Sequence, residues 1–154
     1  MRFFLLAILL FPFVAFNQTK VYVGKQKFPS DQIYEIKNNI VYRVNNAASK
    51  VDYLFIDNSK VYFKDRKFLT DIKYSYDKTA IYKGNSTSTF DRLFELKDGK
   101  LYIGNSNFSS DCLFTLKEGI IYKGDSTSPF DAIMSYDLES EDDLILIAML
   151  IAPY

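Results

Sequence analysis

A tyrosine returns every 20 residues without slippage. Tyr22, Tyr42, Tyr62, Tyr82, Tyr102 and Tyr122 are each preceded by an aliphatic residue: Val21, Val41, Val61, Ile81, Leu101 and Ile121. An aspartate recurs at Asp31, Asp71, Asp91, Asp111 and Asp131, with Asp52 displaced by one in the second unit. The best-matched units read IYKGNSTSTFDRLFELKDG and LYIGNSNFSSDCLFTLKEG. A fixed period of this length means one small supersecondary unit that buries its apolar face only against its neighbours. The six units cover residues 20–138 and set the architecture of the chain.

Each unit carries two strand signals, of the types KLYIG (100–104) and CLFTLK (112–117). The second strand of one unit and the first of the next are separated by two residues: Asn38-Asn39, Asn58-Ser59, Lys78-Thr79, Asp98-Gly99 and Glu118-Gly119. Asp-Gly and Asn-Asn favour the positive φ angles of a two-residue type I′ hairpin, and Lys78-Thr79 is the poorest turn of the set. The other connections, such as NSTSTFD, are longer polar loops. Counting outward from a two-residue turn pairs Lys97 with Lys100, Leu96 with Leu101, Glu95 with Tyr102 and Phe94 with Ile103. That register gives two inward rows: Tyr34, Leu54, Tyr74, Phe94, Phe114, Met134, and Ile36, Ile56, Tyr76, Leu96, Leu116, Tyr136. The tyrosine ladder then lies on an outer, half-wet face, where cross-strand packing accounts for it and an aromatic ligand surface is the lesser reading.

A 40-residue superperiod overlies the repeat. The residue after the tyrosine is apolar in odd units (Val23, Phe63, Ile103) and basic in even ones (Arg43, Lys83, Lys123). The loop phenylalanine alternates too: Phe28, Phe68 and Phe108 against the shifted Phe90 and Phe130.

The fold class expected is all-β: twelve short antiparallel strands closed into a barrel or flower, with an open or propeller-like ring as the alternative. The first strand and the last run in opposite senses, so they can pair and remove both edges. A ring of twelve is wider than its own side chains fill. Residues 140–152 read SEDDLILIAMLIA, apolar on every side after Asp143, and a helix of that kind is buried. Ser140 is the expected N-cap with Asp143 as its capping-box partner. Residues 139–154 are therefore expected as a helix threading the barrel, residues 140–152 spanning roughly 20 Å; a membrane-inserting or dimerising tail is the alternative. Its direction brings the Tyr154 carboxylate toward Arg43, Lys83 and Lys123. These three are read as rim cations that pair or snorkel there, or as an anion-binding mouth for phosphate or lipid headgroups.

Residues 1–17 begin MRFFLLAILLFPFVAF, with Arg2 ahead of an apolar stretch interrupted by Pro12. This reads as a secretory signal peptide, with an uncleaved anchor as the alternative, and predicts an exported protein: periplasmic, cell-envelope or extracellular. The domains are then the signal at 1–17, the six-repeat β domain at 18–138 and the helix at 139–154 within the same fold.

The chemistry expected is spare. Of 154 residues none is histidine, which removes His-dependent triads and His-ligated metals. The single cysteine, Cys112, can form no internal disulfide and reads as a buried apolar residue. Net charge is zero, so nothing points to nucleic acid. Each recurring aspartate is read as capping its loop by accepting backbone N–H bonds, with a Ca²⁺ ring as the lesser reading. The acids at 139–143 are assigned to the helix dipole. Asn17, Asn85 and Asn107 begin N-glycosylation sequons. No enzyme, cofactor or catalytic residue is expected. The function expected is a non-catalytic, monomeric binding or structural module for a protein, glycan or lipid ligand; the alternative is a lipid- or membrane-surface-associated barrel.

Units of the form D-x-L-F-x-L-K-x-G-K-x-Y-x-G-N-S resemble the bacterial β-flower family, a shallow barrel of hairpins in exported proteins. Twelve strands around an apolar C-terminal helix are also similar in architecture, with no shared motif, to the Tubby and phospholipid-scramblase barrels. That likeness implies lipid or phosphoinositide association by analogy only. The Y-x-G element is similar to MORN repeats without their second glycine pattern or their period.

Overall fold

In the computed structural model, residues 18–46, 49–63, 65 and 67–152 are described. Twelve strands run in chain order: β1 Thr19–Val23, β2 Gln32–Lys37, β3 Ile40–Asn46, β4 Ser49–Asp57, β5 Lys60–Tyr62, β6 Ile72–Tyr76, β7 Ala80–Lys83, β8 Arg92–Lys97, β9 Lys100–Ile103, β10 Cys112–Lys117, β11 Ile120–Lys123 and β12 Ala132–Asp137. All neighbours are antiparallel, and β1 pairs with β12, so the ring is closed. Closure gives every strand two hydrogen-bonded neighbours and leaves no edge.

The hairpin register is the one the turns predict. Phe94 faces Ile103, Glu95 faces Tyr102, Leu96 faces Leu101 and Lys97 faces Lys100. Asn38-Asn39, Asn58-Ser59, Asp98-Gly99 and Glu118-Gly119 all adopt positive φ. Lys78-Thr79 does not; there Asp77 accepts the backbone N–H groups of Thr79 and Ala80, both at 2.8 Å, and a carboxylate replaces the missing left-handed pair.

The core is the inside of the ring. Val21, Val41, Val61, Ile81, Leu101 and Ile121 are fully inaccessible, and the two inward rows pack against them. Helix α1, Leu144–Ile151, joins the same cluster and buries Ile145, Leu146, Ile147, Ala148 and Met149. It is shorter than the sequence suggests, because Glu141–Asp143 form a 3₁₀ turn ahead of it. Ser140 caps that turn by accepting the Asp142 N–H at 3.3 Å. Asp143 does not complete a capping box: its carboxylate accepts from Thr19, whose hydroxyl oxygen also takes the Glu139 N–H at 2.9 Å. This clamp ties the entry of the helix to the start of β1. No helix among the described residues is long and apolar enough to cross a membrane, which says nothing about strands.

The tyrosine ladder is on the outer face but is drier than expected. Tyr22, Tyr62, Tyr82 and Tyr102 are buried, and Tyr42 and Tyr122 half-buried. The long loops fold back over the wall and cover them. Ser75 and Thr115 donate to the Gly84 and Gly124 carbonyls at 2.7 and 2.8 Å. The ion pairs Lys27–Asp137, Lys67–Asp57 and Lys100–Asp125 link long-loop residues to strand ends near the hairpin turns. Tyr22 and Tyr82 donate their hydroxyls to Asp137 and Asp77.

Candidate functional site: the loop-end mouth

Each second-type strand carries a bulge at one place. The register skips Ile33, Tyr53, Lys73, Leu93, Leu113 and Ile133. A bulge turns the extra residue toward the face of its neighbour, so the bulge residue and the next one, Tyr34 through Met134, both look inward. Gly24, Gly84, Gly104 and Gly124 explain the glycine of the Y-x-G element. Their N–H groups bond the bulge carbonyls of Ile133, Lys73, Leu93 and Leu113 at 2.8–3.1 Å. Their φ angles of +56° to +76° then turn the chain out of the ring.

These bulges build the mouth of the ring at the loop end, where α1 finishes. Val23, Lys83, Ile103 and Lys123 end β1, β7, β9 and β11, Phe63 follows β5, and Arg43 lies on β3, which runs on to Asn46; all six share the parity of the inward rows. Val23 faces Met134, Arg43 faces Tyr34, Lys83 faces Tyr74, Ile103 faces Phe94 and Lys123 faces Phe114. The apolar three are half exposed, at 52, 55 and 51%, and the basic three are exposed as well. Apolar and cationic side chains thus alternate around one rim.

Arg43, Lys83 and Lys123 stand on β3, β7 and β11, four strands apart, so the ring spaces them rather than bringing them together. None makes an ion pair with a carboxylate of a described residue. The Tyr154 carboxylate, expected beside them, lies outside the described residues, as do residues 1–17. Ala152, just beyond the helix, lines a cavity of about 240 Å³ together with Tyr34, Tyr53 and Lys73. Tyr34 stacks on Tyr53 with ring centroids 5.9 Å apart. Burial and the neighbouring Tyr53 push the Tyr34 phenol up, against the opposing pull of Arg43.

Lys73 is the residue the sequence reading missed. The bulge positions read Ile, Tyr, Lys, Leu, Leu, Ile, and only the third is charged. Tabulating that column would have exposed it, but a register counted from the turn without a bulge does not single the column out. Its Nζ lies 5.0, 5.2 and 5.9 Å from the ring centroids of Tyr74, Phe63 and Tyr53.

The recurring aspartates do not form a ring site. Asp91, Asp111 and Asp131 each accept the hydroxyl of the serine five residues earlier (Ser86, Ser106, Ser126) at 2.5–2.6 Å. Those serines accept the N–H of Ser88, Phe108 and Ser128 in turn. The loop is closed through a serine relay rather than by direct N–H capping. Asp31 and Asp71 close their 3₁₀ turns through their own backbone N–H, bonded to Phe28 and Phe68. Among the described residues no group of three or more carboxylates or thiols could hold a metal ion. Cys112 is buried, and burial raises its thiol pKa.

A family model described as "6-fold beta flower protein" matches residues 45–142. No curated protein and no solved structure matches the chain.

Proposed function

The chain belongs to the 6-fold beta flower proteins, and for this member we propose an exported, non-catalytic binding module whose working surface is the loop-end mouth and whose target is the surface of an anionic membrane. The observation that carries the reading is the alternation of half-exposed Val23, Phe63 and Ile103 with exposed Arg43, Lys83 and Lys123. Apolar side chains gathered on one open rim together with cations suit a surface that meets a partner. Cations interleaved with them suit the boundary between acyl chains and anionic headgroups. Export rests on the N-terminal apolar segment, and the absence of histidine favours a role without acid–base chemistry. Sequencing the N-terminus of the protein recovered from its host tests export; an intact Met1 contradicts it.

A second reading has its own observation. Phe90 and Phe130 are 98 and 97% exposed on the long loops. They suit a protein or glycan partner that engages those loops. Co-sedimentation separates the two readings. Vesicles of phosphatidylcholine mixed with phosphatidylglycerol should pull the protein down, and phosphatidylcholine alone should not. Each rim cation contributes about 1 kcal/mol at an anionic surface, so replacing Arg43, Lys83 and Lys123 together by Gln should weaken binding about a hundredfold. Sedimentation that is indifferent to these three residues contradicts the mouth as the docking surface.

A further inference from the structure

The mouth is not uniform. Five bulge positions hold Ile33, Tyr53, Leu93, Leu113 and Ile133, all packed against the core cluster. The sixth places the ammonium of Lys73 inside that apolar wall. On the adjoining strand Lys83 faces Tyr74. The two lysines line a single cavity of about 430 Å³ with Phe63, Ile72, Tyr74 and Leu93. On its other side Lys73 reaches the smaller cavity beside the end of α1.

From this juxtaposition we infer a discrete subsite for an amphipathic phosphate-bearing ligand, with Lys73 and Lys83 holding the phosphate and Phe63, Tyr74 and Leu93 holding the apolar remainder. The inference rests on the mouth being the binding surface and names the ligand class it takes. A ring face attracts a cation without supplying a counter-charge. No carboxylate of a described residue cancels the charge of Lys73, or that of Lys83. Lysine binds phosphate as a point charge and tolerates varied geometry. The apolar walls lower the local dielectric and strengthen that attraction. They also disfavour a ligand that is all charge, because a bare inorganic ion would leave the rings uncovered. The opposite side of the mouth carries Lys123 with Leu113 and Ile133 at its bulges, and lacks a second lysine.

The test titrates the purified protein with three probes: inorganic phosphate, monomeric dihexanoyl phosphatidic acid and dihexanoyl phosphatidylcholine. Phosphatidic acid should bind saturably, and the other two about tenfold more weakly or worse. Lys73→Leu gives the residue of the fourth and fifth units, so the wall stays packed; near-ultraviolet circular dichroism should be unchanged while phosphatidic acid binding falls about tenfold. Lys73→Arg should restore binding, and Lys97→Gln, at the exposed hairpin-turn end, should leave it unaltered. Phosphate binding as tight as phosphatidic acid would assign the site to free phosphate and overturn the amphipathic ligand. Equal losses for Lys73→Leu and Lys97→Gln would overturn the subsite. If phosphatidic acid fails to bind while anionic vesicles still sediment the protein, the subsite falls and the membrane reading stands. If both fail, both fall.

Discussion

Ile147→Ala removes three carbons from the centre of the ring. Ile147 is fully inaccessible and sits midway along α1, surrounded by strands that each have two hydrogen-bonded neighbours. Three buried carbons at about 0.8 kcal/mol each give about 2.4 kcal/mol of lost transfer free energy. The wall cannot move in without breaking closed ladders, so most of the vacated volume persists. A cavity of about 65 Å³ at about 24 cal/mol per Å³ adds about 1.6 kcal/mol. The expected loss is therefore about 4 kcal/mol, a large part of an ordinary domain's stability. Leu150→Ala, at a half-buried position near the mouth, should cost about half as much, because water already reaches part of that side chain. Urea unfolding followed by far-ultraviolet circular dichroism measures both, with a shared m-value showing that the unfolded states match. A loss for Ile147→Ala below about 1 kcal/mol, or no larger than for Leu150→Ala, would refute the helix as the packed centre.

Two further predictions concern pH. Glu35 is buried, which alone would raise its carboxyl; hydrogen bonds from Lys50 and Gln32, and the charges of Lys50 and Lys20, outweigh that and hold it below the usual range. Its contribution to stability is thus present above the unfolded value of about 4.3 and is lost as pH falls through the depressed folded value. Glu35→Gln should flatten the acid limb of the stability curve, and an unchanged limb contradicts the pairing. Tyr22 is pushed up to about 12 by burial, then by the charge and hydrogen bond of Asp137. Its neutral form stabilises the fold below the unfolded value of about 10, and that contribution is lost as pH rises through about 12. Phenolate absorbance should show Tyr22 ionising late, and earlier in Asp137→Asn; a titration identical in the two proteins refutes it.

The ring was legible because its determinants are local and repeated. A two-residue turn fixes register, register fixes parity, and parity names both inward rows, so the pairing of Phe94 with Ile103 needed no tertiary information. Closure followed from the senses of the first and last strands, and the helix from a ring too wide to fill itself. What stayed hidden depends on contacts between units. The bulges interrupt the parity count just short of the loops, and with them went Lys73. The folding of the loops over the wall buries Tyr82 and Tyr102, which strand alternation alone leaves half wet. The partner of Asp143 is Thr19, at the other end of the chain, so a local capping rule misassigns it. Arg43, Lys83 and Lys123 were legible as a set, and the 40-residue superperiod spaced them four strands apart around the ring, but the aromatic sector that breaks their symmetry was not legible.

The mouth as the surface that meets the membrane is tested most directly by orientation. The chain contains no tryptophan, so one placed by mutation reports alone. Phe63→Trp puts it on the apolar rim, and Lys97→Trp puts it at the hairpin-turn end. On adding phosphatidylglycerol-containing vesicles, emission from the first should shift to the blue while emission from the second stays put. A shift at the turn end with a silent rim, or silence at both, contradicts the account.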